Sequence, residues 1–329
     1  MSLNSGKDKL LHLIKSFITA MSRKKITRRM FVSSVVMAAG TVALGKAFPT
    51  HDILRPEVNA DPLQKVSLGK SGIKTTLLGM GTGFNGYNRT AAITRAGTAE
   101  AMIRYAYDSG IRFFDCADTY GTHPFVSKSL KGFPRDNYTI SSKIWVGQGG
   151  IPEPERPGAD IVVDRFRKEL GTDYLDVIQL HCMTSAGWTD EYKKQMDLLE
   201  NLKAKGIIRA HGVSVHSLEA METAALSPWV DVIHVRINPF GSAMDDKDPA
   251  KVVPIIAKLH SSGKGVIGMK LIGNGSFKTD SEKINNSIQY VLNLGTVDMI
   301  IAGFEKPEQI DNYISRVESA LITLKERKK

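Results

Sequence analysis

Cysteine is scarce in this sequence, which has only Cys116 and Cys182 among its 329 residues. Two cysteines provide no disulfide framework, and their spacing is not that of metal ligands. A single disulfide bond between them stays an alternative, but we favour two thiols that pack as small apolar side chains. The sequence therefore excludes a disulfide-stabilised scaffold, and we predict no metal site.

The net positive charge is small outside the N-terminus. The formal net charge is +10, but residues 1–47 contain nine Lys or Arg residues and one acid, and so carry +8 of it. The remaining chain is close to neutral and has no basic stripe interleaved with aromatic residues, which a protein that follows a phosphate backbone needs. We therefore expect no nucleic-acid partner.

Long apolar runs are also missing. Residues 30–45 are uncharged but only mildly apolar, and a spanning helix needs roughly 20 strongly apolar residues. This stretch instead fits the apolar region of an export signal, and Arg28-Arg29 two residues before Phe31 resembles a twin-arginine signal. Small residues at Ala43, Gly45 and Ala47 suit cleavage.

We therefore predict that residues 1–47 are an export signal and residues 48–64, which contain three prolines, a linker. The expected partner is the twin-arginine export machinery, and the expected location is periplasmic, with no stable membrane span in the mature form. Anchoring in the membrane by an uncleaved signal is the alternative. Met21 is a second candidate start, because the first twenty residues exceed what such a signal needs.

From residue 65 onward, strand and helix patterns alternate with short gaps, which favours a parallel α/β fold. The predicted strands are Thr75–Leu78, Ile111–Asp115, Tyr138–Ser142, Tyr174–Leu180, Ile207–Val213, Val232–Ile237, Gly265–Met269 and Asp298–Ile301. The predicted helices are Thr98–Ser109, Ala159–Leu170, Asp190–Lys205, Ser217–Ala225, Pro249–Ser261, Ser281–Leu294 and Pro307–Leu324, with a short one ending near Leu130. Eight such units suit a (β/α)₈ TIM barrel of about 250 residues. We predict one domain over residues 65–329, with a hairpin around Val66–Gly72 closing the barrel floor.

A glycine motif raises an alternative fold. Gly81-Thr-Gly83-Phe-Asn-Gly86 matches G-x-G-x-x-G and follows a strand, as in a dinucleotide-binding Rossmann unit. In that unit the helix begins at the third glycine, so that its N-terminus faces the pyrophosphate. Here eleven residues separate Gly86 from the first predicted helix, near Thr98. The Rossmann fold is therefore the less favoured reading.

Ionisable residues end three successive predicted strands. Asp115 ends the second strand, with Tyr120 on the following turn, and Lys143 and His181 follow the next two strands. In a barrel these strand ends converge on one face. A tyrosine has an ordinary pKa of about 10, and a nearby ammonium is expected to lower it. A carboxylate would hold the lysine in place, and a histidine would orient a carbonyl oxygen. The set suits proton transfer to a carbonyl as hydride arrives.

The chain from Val66 to the C-terminus resembles the aldo/keto reductase family. The matching motifs are Val66–Ile73, Leu78–Thr82, Phe114–Gly121, Arg165–His181, Lys205–Ser214 and Pro307–Ile310. The resemblance implies a carbonyl reductase or alcohol dehydrogenase that acts on a small carbonyl or alcohol substrate. It also implies a catalytic tetrad of Asp115, Tyr120, Lys143 and His181, with Tyr120 as general acid/base.

The resemblance also implies a nicotinamide cofactor lying across the strand ends. Its predicted contacts are Ser214, His234, Met269, Lys270, Lys306 and Gln309. Val215, His234, Met269 and Lys270 depart from the family's usual residues, and the loop over residues 303–312 lacks an arginine. We expect NADP, with NAD as an alternative. These departures also leave open a second function, in which the barrel is a cofactor-binding sensory module with little turnover.

Overall fold

A computed structural model describes residues 60–152 and 156–327 of the chain. The predicted export signal and residues 48–59 of the predicted linker lie outside the described residues. Within them, no helix combines the length and the apolar character that crossing a bilayer requires.

Eight parallel strands close into a barrel in chain order, with the last strand pairing the first. They are β3 (Leu78–Gly81), β4 (Phe113–Asp115), β5 (Thr139–Ile144), β6 (Leu175–Met183), β7 (Ile208–Val215), β8 (Val232–Arg236), β9 (Gly265–Met269) and β10 (Met299–Ala302). Their residues are almost all buried, as expected for parallel strands covered by helices. The predicted TIM barrel is confirmed, and the Rossmann alternative is wrong.

Helices surround the barrel in the described part of the chain. They are α1 (Ala92–Arg95), α2 (Ala99–Asp108), α3 (His123–Leu130), α4 (Ala159–Leu170), α5 (Trp188–Glu191), α6 (Lys193–Ala204), α7 (Leu218–Leu226), α8 (Pro249–Ser261), α9 (Ser281–Leu294) and α10 (Pro307–Arg327). The bounds of α4, α8 and α9 agree with the prediction because their capping residues are strong signals. Asp248 and Asp280 accept backbone N–H bonds at two helix starts, and Gly171 and Gly295 end two helices in the left-handed conformation.

A hairpin closes the barrel floor, as the sequence predicts. Its strands are β1 (Lys65–Ser67) and β2 (Lys74–Thr76), and its apolar residues Leu68 and Ile73 are fully buried in the cluster inside the barrel. The Asp298 carboxylate accepts backbone N–H bonds from Gly69 (3.2 Å) and Val266 (2.8 Å), which ties the hairpin to the barrel. The amino-terminal end is thereby sealed.

The predicted strand Thr75–Leu78 is wrong in its bounds. It spans the end of β2 and the start of β3, two separate elements. The chain turns between them because the Leu77 backbone N–H donates to Gln64 O (3.0 Å) and the Thr76 hydroxyl donates to Leu78 O (2.8 Å). The predicted helix Asp190–Lys205 is likewise interrupted at Tyr192, between α5 and α6.

Candidate active site

The four predicted catalytic side chains meet at the carboxyl end of the barrel. Asp115 ends β4, Tyr120 ends a single 3₁₀ turn, Asp118–Tyr120, and Lys143 and His181 lie near the ends of β5 and β6. The Lys143 Nζ donates to Asp115 Oδ1 (2.5 Å) and to Cys116 O (3.0 Å). The Tyr120 ring centroid lies 5.2 Å from that Nζ and 5.6 Å from the His181 ring centroid.

The electrostatics of this cluster differ from the expectation for Tyr120. Burial raises the pKa of the Tyr120 phenol well above its usual value, and the Asp115 charge raises it further. The predicted lowering of the Tyr120 pKa by Lys143 is therefore wrong. The reason is the deep burial of the phenol, to which the charge of Asp115 adds. Tyr120 keeps its proton at neutral pH.

Asp115 is ionised in this setting. Burial by itself raises the pKa of the Asp115 carboxyl, but the charge of Lys143 and the nearby His234 outweigh burial and bring the pKa well below its usual range. The His234 Nε2 lies 3.2 Å from Asp115 Oδ1. A permanently charged carboxylate of this kind holds the lysine ammonium in a fixed place.

His181 faces the same space from the next strand. Burial, followed by the charge of Lys143, lowers the pKa of His181 well below its usual value, so the imidazole is neutral. Its Nδ1 is buried and has no hydrogen-bond partner in the described part of the chain. The Trp145 ring stands edge-on to it, with centroids 5.4 Å apart. A neutral imidazole carries one N–H, which suits it to bind a carbonyl oxygen.

The Tyr120 ring packs directly against the glycine motif Gly81–Gly86. A Cβ atom at Gly83 or at Gly86 would overlap the Tyr120 ring. Gly121, which ends the 3₁₀ turn, has φ +63°, and a Cβ there would overlap the backbone carbonyl of Arg89. Because glycine has no side chain, the backbone of the motif is able to lie in close contact with the Tyr120 ring.

A cleft of about 420 Å³ extends from Asp115 and Tyr120 to α10. Four of the predicted cofactor residues line it, namely Met269, Lys270, Lys306 and Gln309. The Lys270 Nζ donates to Asn274 Oδ1 (2.8 Å), and Gln309 Oε1 accepts the backbone N–H bonds of Glu305 (2.7 Å) and Lys306 (3.1 Å). The cleft is thus lined by two loops with hydrogen-bonded polar side chains, one that contains Lys270 and Asn274 and one over residues 305–309.

The other two predicted cofactor residues, Ser214 and His234, do not line this cleft. Ser214 is buried, and its Oγ accepts the backbone N–H of Cys182 (2.9 Å). His234 is fully buried beside Asp115. His234 thus lies against one of the predicted catalytic residues, and Ser214 contacts the strand that carries His181. Cys116 and Cys182 are both free thiols, in agreement with the packing interpretation.

Sequence reasoning missed Arg316, which lines the far end of the cleft. Its guanidinium donates to Asn312 Oδ1 (2.5 Å), to Ser281 O (3.1 Å) and to the Asn285 side chain. Arg316 lies on α10, four residues beyond the loop over residues 303–312, which lacks an arginine. The i,i+4 spacing from Asn312 along α10 was the available signal.

The family comparison agrees with this fold. The model described as Aldo/keto reductase family matches residues 77–289, and the chain belongs to this family of oxidoreductases.

Individual relatives are distant. The chain is 28% identical over 231 residues to the aldo-keto reductase YhdN of Bacillus subtilis (strain 168), covering 66% of this chain and 68% of that one. It is 27% identical over 197 residues to human aldo-keto reductase family 1 member A1, covering 52% and 56%. These matches span between about half and two thirds of the curated relatives' length. The holo form of an aldo-keto reductase from Bacillus halodurans superposes with a TM-score of 0.62 at 21% identity, covering 80% of this chain and 96% of that one.

Proposed function

We propose that this protein is an NADP(H)-dependent carbonyl reductase or alcohol dehydrogenase acting on small aldehydes, ketones or alcohols. One observation carries the proposal. A buried Lys143–Asp115 pair lies beside a protonated Tyr120 and a neutral His181, all at one end of the barrel and at the head of a cleft.

The residues divide the work of proton transfer. Bound nicotinamide supplies the hydride. Tyr120 gives its proton to the carbonyl oxygen and takes one back in the alcohol direction, as general acid/base. His181 donates a hydrogen bond that orients the same oxygen, and Lys143, fixed by Asp115, faces the Tyr120 ring and stabilises the phenolate that forms. Because the pKa of Tyr120 is raised by burial and by Asp115, the phenol carries the proton that reduction requires near neutral pH.

The cleft fits a dinucleotide with a third phosphate. Lys278, Lys306 and Arg316 line its far end, and a phosphate there would meet a guanidinium that four protein groups already hold in place. Lys270 stands at the turn Gly273–Gly275, where a pyrophosphate would bind, and Met269 supplies an apolar, polarisable surface for the nicotinamide ring. These features favour NADP over NAD.

Cofactor titration tests the proposal. NADPH and NADH are titrated against the full chain by nucleotide fluorescence, and we expect NADPH to bind at least about tenfold more tightly. Arg316→Gln should remove most of this preference, whereas Arg104→Gln, on the surface of α2, should leave it intact. A panel of aldehydes and ketones is then screened with the tighter cofactor. No binding of either nucleotide and no turnover across the panel would overturn the proposal.

A cofactor-binding sensory module is the second candidate. It is favoured by the residues Val215, His234, Met269 and Lys270, which depart from those usual in the family. In this case NADP(H) binds tightly, turnover is very slow, and Tyr120→Phe leaves the residual turnover unchanged.

Export is a separate proposal. We infer that residues 1–47 direct the folded protein through the twin-arginine machinery to the periplasm, because Arg28-Arg29 precedes an uncharged stretch. Replacing both arginines by lysine should retain the protein in the cytoplasm, and an unchanged location would contradict the proposal. Fractionation of the wild type and sequencing of its N-terminus separate cleavage from membrane anchoring.

A further inference from the structure

Asp118 is a buried carboxylate that the proposed chemistry does not use. It lies in the 3₁₀ turn between Asp115 and Tyr120, and its side chain is only 2% exposed. An isolated buried carboxylate is costly, so its partners indicate its role. We propose that Asp118 is a positioning residue, which fixes the Tyr120 turn through a chain of ion pairs and hydrogen bonds that also reaches the strand carrying Lys143.

Two arginines from separate parts of the chain hold the Asp118 carboxylate. The Arg165 Nη2, on α4, donates to Asp118 Oδ2 (2.8 Å), and the Arg89 Nε, in the loop before α1, donates to Asp118 Oδ1 (3.2 Å). Each carboxylate oxygen thus has its own charged donor, which fixes the rotation of the side chain as well as its position.

The chain of contacts continues from Arg165 to β5. The Arg165 Nη1 donates to Glu169 Oε1 (2.9 Å), Glu169 Oε2 lies 2.6 Å from His123 Nδ1, and His123 Nε2 lies 2.8 Å from Ser142 Oγ. Ser142 immediately precedes Lys143. Burial tends to raise the pKa of Glu169, but His123 and Arg165 lower it to about 2, so the Glu169 carboxylate is ionised at neutral pH. Helix α4 therefore holds both the Tyr120 turn and the Lys143 strand.

The backbone explains why the turn needs such a hold. The Tyr120 ring packs against Gly83 and Gly86, which have no side chains that could restrict its movement. Gly121, the next residue, packs against the Arg89 carbonyl. A small rotation of the turn would move the phenol relative to Lys143, and misplacement by about 1 Å is able to cost about 100-fold in rate. Arg89 acts twice here, through its side chain on Asp118 and its carbonyl against Gly121.

Asp176 offers a matched control at the barrel floor. It is also a buried aspartate held by two arginines, Arg135 (2.6 Å) and Arg209 (2.9 Å), and its side chain is 1% exposed. Asp118→Asn and Asp176→Asn should both lower the melting temperature. This inference rests on the proposed reductase function, and only Asp118→Asn should also lower kcat, by at least about tenfold, with the Kd for NADPH within about threefold of wild type. The milder pair Arg165→Lys and Arg209→Lys, which keeps the charge, provides the same contrast if either asparagine variant fails to fold.

A second readout needs no turnover. In protein labelled with [ζ-¹³C]tyrosine, the Tyr120 signal, assigned from Tyr120→Phe, should shift in Asp118→Asn and stay in place in Asp176→Asn. An unmoved Tyr120 signal together with unchanged kcat would overturn the positioning role. If the wild type reduces no carbonyl, the proposed function fails, and the Tyr120 signal still decides the role of Asp118.

Discussion

Asp176 at the floor of the barrel and Asp115 at its mouth are both buried, but their partners differ. At the floor, Asp176 accepts bonds from two arginines and from the Ile140 backbone N–H (2.9 Å). At the mouth, Asp115 meets a lysine ammonium and lies near His234. Arginine keeps its charge under all physiological conditions, whereas lysine and histidine exchange protons when their surroundings change. Asp176 is thus paired with permanent charges, whereas Asp115 is paired with side chains of the kind that exchange protons.

The same contrast appears in the packing of the tyrosines. The Tyr174 hydroxyl, toward the floor, donates to Asp136 Oδ1 (2.7 Å), so its proton is already engaged. Tyr120 at the mouth is packed against glycine backbone and lies 5.2 Å from Lys143, measured to its ring centroid. A tyrosine hydroxyl that does not donate to a carboxylate is able to donate its hydrogen bond to a ligand.

The largest expected effect comes from removing the hydroxyl at the mouth. Tyr120→Phe should lower kcat for carbonyl reduction by about 10³-fold, because general acid catalysis contributes about 10²–10⁴-fold. The Kd for NADPH should stay within about threefold. Tyr174→Phe removes a hydroxyl at the other end and should leave kcat within about twofold. Equal losses in the two variants, measured under saturating cofactor, would remove the distinction between the ends.

A smaller effect is expected from a methyl group under the Tyr120 ring. Gly83→Ala places a Cβ where the ring now lies, so the phenol must move, and kcat should fall by about 10–100-fold. Gly187→Ala, whose Cβ would meet only the Ser185 hydroxyl at 3.6 Å, is the control. If Gly83→Ala kept full activity and its crystal structure showed Tyr120 in its original place, the packing of the Tyr120 ring on Gly83 would have no catalytic importance.

The smallest expected effect concerns stability against acid. Burial and then the charges of Arg236 and Lys270 lower the pKa of His216, at the mouth, to about 3. An unfolded histidine has a pKa of about 6.5, so the unfolded chain binds the proton first as the pH falls. The stability contributed by neutral His216 is complete above pH 6.5 and is lost progressively toward pH 3.

The melting temperature should therefore fall between pH 7.5 and pH 5. In His216→Gln, which does not titrate, the fall should be smaller by about 3–5 °C. Identical pH dependence in the two proteins would mean that other groups at the mouth dominate.

The predictable part of the site follows from the repetition of the barrel. Asp115, Lys143 and His181 were found because each follows a short apolar strand, and successive parallel strands end on one face. Glycine and aspartate caps fixed the bounds of α4, α8 and α9 for the same local reason.

The remainder depends on contacts that no local pattern contains. His234 looked like a cofactor contact, but it faces Asp115 inside the barrel. Ser214 is engaged by the Cys182 N–H, beside an irregularity in β6 between Leu180 and Met183 that the apolar pattern does not show. The raised pKa of Tyr120 likewise follows from the depth of its burial and the nearness of Asp115, and spacing alone cannot supply either quantity.

Gly121 also bears on how freely this enzyme could be re-engineered. Its left-handed backbone and its contact with the Arg89 carbonyl exclude every side chain, whatever ligand the protein handles. In a randomised library selected on any carbonyl compound, codon 121 should return glycine alone. At Gly147, where the atoms nearest to a Cβ belong to the Trp145 side chain, at 3.2 Å and beyond, the same library should instead return several residues. Residue 121 would then mark where tolerance to substitution ends.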